Sequence, residues 1–351
     1  MKKYNCVAGL ALVLLAALVS AGTRAQAEDE LSFIVWLNPA LDNILPADAR
    51  LEKLAGNFGS LEGPVWVQKG GYLIFSDIPA NVIYKWDPRD GKISTFLKYS
   101  GFTGADDLGV GLQMTNDRML VTLLGSNGIT LDPQGRVVFC AHGDRQVVRI
   151  EENGRRTVLA DRFEGKRLNS PNDLVYKSDG TLYFTDPDGG LRLGDKDPKK
   201  ELPFYGVFML KNGELRALIR DMAVPNGLGF SPDEKYFYVD DTAKKTIRRY
   251  EVQPDDAITN EKTFIDMSAD MSAGAPDGMK IDSKGNVYST GPGGIWILSP
   301  EGRHLGTIMM PSVATNLAFG GADGKSLFIT ARSGLYRIEL KVAGTRPGPK
   351  A

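Results

Sequence analysis

At 351 residues, with 42% hydrophobic and 24% charged side chains, the chain has a globular composition and enough length for one large β domain or two ordinary domains. Its 42 lysines and arginines against 43 acids leave no basic excess of the kind that nucleic-acid binding requires. The apolar run from Val7 to Val19 is shorter than the roughly 20 residues of a membrane-spanning helix.

Lys2 and Lys3, that apolar run and the small-residue pattern Ala25-Gln26-Ala27 read as a secretory signal peptide cleaved before Glu28. The expected location is therefore periplasmic or secreted, with no membrane association after cleavage; an uncleaved anchor is the alternative. Residues 1–27 hold three basic residues and no acid, which leaves 39 basic and 43 acidic residues and a net charge of −4. Removing them also leaves Cys140 as the single cysteine, so no intramolecular disulfide can form. Its apolar neighbours Val137, Val138 and Phe139 predict a buried, inert thiol.

Residues 28–48 form a leader in which the strand-like Phe33-Ile34-Val35-Trp36 is followed by the breakers Pro39 and Pro46. From residue 49 to 342 a repeated pattern takes over, and residues 343–351 are left as a tail. The pattern is clearest in Ser170-Pro171-Asn172-Asp173-Leu174-Val175-Tyr176, a constrained approach to a strand, followed by the turn Ser178-Asp179-Gly180 and the strand Leu182-Tyr183-Phe184. It recurs at Pro225-Asn226-Gly227 and Pro276-Asp277-Gly278, and less strongly at Glu62-Gly63-Pro64, Asn127-Gly128 and Asn316-Leu317. Intervals of roughly 40 to 50 residues are those of propeller blades. Six copies, the first five readable as four short antiparallel strands, predict an all-β, six-bladed β-propeller. The last copy lacks a fourth strand, and residues 50–55 are expected to supply it, joining the two ends of the chain and removing an exposed sheet edge.

In that architecture the loops entering first strands share a rim with the ends of second strands. The rim then carries Glu62, Asn127, Asn172, Asn226, Asp277 and Asn316 around the channel, together with Asp77, His142, Asp186, Asp241 and Arg332. Two long insertions, 98–125 and 186–206, reach the same rim. Two carboxylates with neutral amide oxygens form an all-oxygen cluster that suits a hard divalent cation, Ca²⁺ or Mg²⁺, rather than zinc. Any single Pro-Asn-Gly is more often only a turn; the argument rests on the shared phase. His142 is placed to contact substrate or move a proton, with a structural role as the alternative. His304, in a turn, is expected to be exposed.

At these residues the chain resembles the senescence marker protein/gluconolactonase family of six-bladed calcium propellers, and its bacterial gluconolactonases most. The likeness runs from Leu41 to Leu340 and rests on Leu61-Glu62-Gly63-Pro64, Lys166–Asp173, Pro225-Asn226-Gly227 and Pro276-Asp277-Gly278. The resemblance implies hydrolysis of a small-molecule sugar lactone, an aldonolactone, by a Ca²⁺ ion held by Glu62, Asn172, Asn226 and Asp277, with Asp277 also the general base. Mg²⁺, Mn²⁺ and Zn²⁺ are the other ions such a site takes. Asn127 is similar to a channel residue beside the metal and is not carried over as a ligand; with His142, Asp186 and Asp241 it is expected to contact substrate. Thr185-Asp186-Pro187-Asp188-Gly189-Gly190 lacks the second proline and the aromatic common in bacterial relatives, which bears on substrate preference. Phosphotriester or aryl-ester hydrolysis at the same site, or ligand binding without catalysis, are the competing readings.

Overall fold

The computed structural model describes residues 34–105, 108–116 and 119–349; the expected signal peptide lies outside them. Six antiparallel blade sheets follow one another along the chain; the first four are built from consecutive strands, and the last two each take one strand from the N-terminal segment. Blade 1 is Leu61–Val67, Tyr72–Asp77, Val82–Trp86 and Ile93–Lys98. Blade 2 begins at Ser126–Leu131, blade 3 at Leu174–Tyr176, blade 4 at Pro225–Phe230, blade 5 at Met279–Ile281 and blade 6 at Ala314–Gly320.

The first and second strands of blade 1 are buried almost throughout, whereas its fourth strand alternates between half-buried and exposed. That gradient explains the near-continuous apolar runs of the inner strands: both faces of each sheet meet a neighbouring blade. Val65 and Ile74 of blade 1, for example, join Ile129, Phe139 and Ala141 of blade 2 in one cluster. On its other side, Trp66 of blade 1 stacks on Phe328 of blade 6, with ring centroids 5.4 Å apart.

Glu52–Ala55 pairs antiparallel with Gly334–Glu339 and completes blade 6, so the ring closes as the sequence predicts. The leader is more than a connection. Ile34–Trp36 adds a fifth strand to the outer edge of blade 5 by pairing with His304–Met309, and Leu41, Ile44 and Leu45 enter the core between blades 5 and 6. Pro39, the first of the prolines that break the strand pattern, starts a 3₁₀ turn, Pro39–Asn43, capped by the Asn38 side chain.

First strands of all six blades line a cavity of about 480 Å³ on the side of the channel away from the rim, with Thr345–Pro349 at its far end. The tail is held there by Thr345 N–H donating to Ile281 O (3.0 Å) and by Gly344, where a Cβ would lie 1.8 Å from the Phe319 ring. His304 is not exposed as expected: it stacks on Trp296 at 3.8 Å and bonds Gly306 O. Cys140 is buried and free.

Candidate active site

Glu62, Asn127, Asn226 and Asn316 lie at the second or third position of the first strand of their blades, and Asn172 and Asp277 two positions before it, so the ring itself gathers the six. Close approach depends on the glycine that follows. Gly63 has φ +51°, and a Cβ there would sit 2.2 Å from Asn127 O in the next blade; at Gly227 it would sit 2.3 Å from Asp277 O. Hydroxyls at the ends of second strands stitch neighbouring blades together. Ser76 Oγ donates to Asn127 O (2.8 Å) and Thr185 Oγ1 to Asn226 O (2.9 Å).

Glu62, Asn127, Asn172, Asn226 and Asn316 are buried at this hub, and Asp277 is half-buried. Glu62 Oε2 accepts from Gly63 N–H (3.0 Å) and from Asn316 Nδ2 (3.1 Å). Burial, then the charges of Asp277 and Asp173, push the Glu62 carboxyl well above its ordinary range. Burial and the Asp173 charge raise Asp277 to about 7, against the pull of Arg332 and the Asn226 amide. Such mutual repulsion is an unmet demand for positive charge. Two amide oxygens add to it: Asn226 Oδ1 and Asn127 Oδ1 are buried without a hydrogen-bond partner, a state that is expensive for a polar atom.

A hard cation fits this donor set. Among the described residues no three His, Cys, Asp or Glu side chains gather as a ligand cluster, so an ion here would depend on amide oxygens as well as carboxylates. Glu62, Asp277 and Asn226 meet that requirement, and Asn172 occupies the corresponding place in blade 3. Asn316 does not: its Oδ1 is taken by Leu317 N–H (2.8 Å) and Lys280 Nζ (3.2 Å), so it presents its NH₂ to Glu62.

The rim acids serve a different purpose from the expected one. Asp186 is completely buried and accepts from Asn169 N–H (2.8 Å) and Ser170 N–H (2.7 Å). Asp241, also completely buried, accepts from Ala223 and Val224 N–H at 2.8 and 3.1 Å, and Asp77 does the same for Gly59 and Ser60. Each carboxylate holds the loop entering the first strand of its own blade, and no oxygen of Asp186 or Asp241 is turned out to meet a substrate hydroxyl. The expectation that they contact substrate is corrected to loop anchoring.

His142 is buried, and Asn127 Nδ2 lies 3.2 Å from its Nε2. An amide nitrogen can only donate, so Nε2 accepts and the imidazole is neutral. Burial pushes its pKa down to about 3, which favours the neutral ring. What the ring does is turn the Asn127 oxygen away from itself, leaving it unpartnered.

The structure adds three residues that the repeat pattern does not single out. Asp173 accepts from Asn316 Nδ2 at 3.3 Å and faces Lys280 Nζ at 3.8 Å. Asp240, completely buried, stands where blades 1 and 3 carry the stitching hydroxyls, and burial with the Asp277 and Asp173 charges raises its carboxyl well above the ordinary range. A sequence signal existed for the two acids: Asp173 replaces the glycine that follows the hub residue in four other copies, and Asp240 replaces Ser76 and Thr185. The third is Lys280 itself, which the cavity-facing side of blade 5 presents below the hub.

Over the rim, the insertion 98–125 forms the hairpin Gln113–Asn116/Met119–Thr122. Its base bonds Gly189 and Gly190 of blade 3. Further along, Asn116 donates to Gly59 O of blade 1 and Met114 Sδ lies 3.9 Å from Arg332 Nη1 of blade 6. The hairpin thus walls one side of the mouth.

The sequence family described as SMP-30/Gluconolactonase/LRE-like region matches residues 61–333. A gluconolactonase of Zymomonas mobilis is 35% identical over 98% of this chain and 99% of its own length. A 6-deoxy-6-sulfogluconolactonase of Pseudomonas putida is 30% identical over 77% of this chain and 82% of its own. Among solved structures, a gluconolactonase of Xanthomonas campestris superimposes with a TM-score of 0.74 at 30% identity, covering 89% of this chain and 95% of that one. With its hub at the channel mouth and this extent of matching, the chain belongs to the SMP-30/gluconolactonase/LRE-like family.

Proposed function

We propose that the protein hydrolyses sugar lactones, aldonolactones such as gluconolactone first, to the open-chain acids, and does so with a divalent cation, calcium, at the channel hub. The observation that carries the reading is the set of mutually repelling carboxylates Glu62 and Asp277 beside the unpartnered oxygen of Asn226. The names of the relatives at 35% and 30% identity support the substrate class. Glu62, Asn172, Asn226 and Asp277 would hold the ion, and hard oxygen donors on a rigid ring favour calcium. Bound there, a divalent ion supplies Lewis-acid polarisation of the lactone carbonyl.

The remaining tasks fall to the chain. Gly63 N–H and Asn316 Nδ2 fix the Glu62 carboxylate. Asp277, in its ionised form, would take a proton from the attacking water. Arg332 favours the charged form of Asp277. The hairpin 113–122 and the insertion 186–206 restrict access to one side, where Tyr205 OH donating to Asp188 (2.8 Å) ties down the second of them.

The test is turnover of a lactone panel with calcium, with magnesium and with chelator, for the wild type and Asp277→Asn. Turnover of aldonolactones with calcium, abolished by chelator and reduced about 10²- to 10⁴-fold in the variant, is the expected result. Full activity of Asp277→Asn would remove that residue from the chemistry; hydrolysis confined to phosphotriesters or aryl esters would replace the substrate class. We also propose export, on the pattern of residues 1–27; N-terminal sequencing of the protein from the periplasm or medium should begin at Glu28.

A further inference from the structure

Below the hub a lysine crosses the channel. Lys280 lies on the first strand of blade 5 between Met279 and Ile281, both of which point into the blade core. Its side chain is half-buried, and its ammonium group lies 2.9 Å from Met279 O, 3.2 Å from Asn316 Oδ1 and 3.8 Å from Asp173 Oδ2. Asp173 comes from blade 3 and Asn316 from blade 6, on opposite sides of the ring. A charge held in such a place requires compensation, and the acids around it require the same in return.

The charges can be balanced by inspection. Glu62, Asp173, Asp240 and Asp277 bring up to four negative charges to the channel, and Lys280 and Arg332 bring two positive ones. One divalent ion at the hub supplies the other two. Were Lys280 absent, Asp173 would face the cavity with one oxygen taken by Leu174 N–H and the other left with only the Asn316 amide. Asn316 Oδ1 would keep Leu317 N–H (2.8 Å) and regain the lone pair that it now gives the ammonium group. A carboxylate, an amide oxygen and the Met279 carbonyl would then surround the place vacated, which is a set of hard oxygen ligands.

We propose that the Lys280 ammonium is a built-in cation, standing where a second divalent ion would otherwise bind and limiting the channel to one. The inference rests on the hub reading above. Lys280 is a positioning residue in this account, acting through Asn316 on Glu62, and it touches no reacting atom.

The experiment is equilibrium dialysis of the purified full-length protein against calcium, with bound metal counted per chain, for the wild type, Lys280→Ala, Lys280→Gln and Lys280→Arg. Circular dichroism of each establishes that it is folded. The wild type and Lys280→Arg are expected to bind one ion, and Lys280→Ala and Lys280→Gln two; the second ion should appear as a separate step in a calcium titration of the melting temperature. Should the alanine variant fail to fold, the glutamine variant, a shorter polar side chain without the charge, decides the matter against the arginine one. Equal stoichiometry in the wild type and the folded neutral variants overturns the proposal. Failure of the hub reading looks different: the wild type itself would then bind no ion.

Discussion

Gly63→Ala tests whether close approach at the hub holds the ring together. Two penalties combine there. The positive φ of +51° costs an L-residue about 1–2 kcal/mol. The added Cβ would lie 2.2 Å from Asn127 O and 2.8 Å from both Gly128 Cα and Ile129 N, all backbone atoms of blade 2 that cannot swing aside, and overpacking of this kind costs about 1–3 kcal/mol. The sum is about 2–5 kcal/mol. Unfolding entropy of about 2.1 cal/mol/K per residue over roughly 300 residues converts this to a fall of about 3–8 °C in Tm. Gly71→Ala supplies the reference, since Gly71 has φ +64° and no atom within 4 Å of its added Cβ; it should lose only about 1.5–3 °C. Both would be melted in chelator, followed by circular dichroism, so that loss of a bound ion does not enter. If the two variants melted together, the approach of blade 2 to Gly63 would have no energetic weight, and the reasoning that links the glycines to hub geometry would fail.

Asp186→Asn should lower stability by about 1–3 kcal/mol, because an amide can accept from only one of the two buried N–H groups and turns its own NH₂ on the other, while leaving KM for gluconolactone within a few-fold of wild type; a large rise in KM with unchanged Tm would restore Asp186 as a substrate contact. The pH dependence of the chelated protein follows from carboxyls that are raised on folding. Asp277 and Asp186 titrate near 7 in the folded chain against an ordinary 3.8, so between about pH 4 and 7 the folded state binds more protons than the unfolded one, and stability falls as pH rises through that window. His142, held neutral by burial, acts in the opposite sense, but its contribution is complete above pH 6.5. Tm in chelator should therefore fall from pH 6.5 to 8, and calcium should raise Tm more at pH 8 than at pH 6. A chelated Tm that climbs over that range would contradict the burial of these carboxyls.

The fold was legible because it repeats. One turn-strand-turn sentence with its apolar return strand, read six times, predicts the blade, and the shortage of one strand at the end predicts the closure by Glu52–Ala55. The leader was not legible, since a strand at a sheet edge followed by prolines looks the same whether or not a sheet is there to receive it; only the exposed edge at His304–Met309 makes Ile34–Trp36 a fifth strand. The rim acids failed for a related reason. Position in the repeat correctly put Asp77, Asp186 and Asp241 beside the loops entering the first strands, but whether a carboxylate faces outward or takes two N–H groups of its own loop depends on the course of a backbone that has no side-chain pattern.

Repetition also explains why the most informative hub residues do not stand out in the sequence. A search for what recurs finds Glu62, Asn127, Asn172, Asn226, Asp277 and Asn316, because the ring needs an anchor at each first strand. It treats them as equivalent, yet Asn316 turns its nitrogen inward and Asn226 keeps its oxygen free. What separates them are the neighbours that break the period. Asp173 stands where four blades carry glycine, Lys280 reaches across to it, and His142 accepts from Asn127. A ring of near-identical blades can only converge on a point symmetrically, and a reaction with one nucleophile and one leaving group needs asymmetry there. In this chain the departures from the repeat supply it, so the residues that differ between copies are the ones to alter when the chemistry is to be changed and the fold kept.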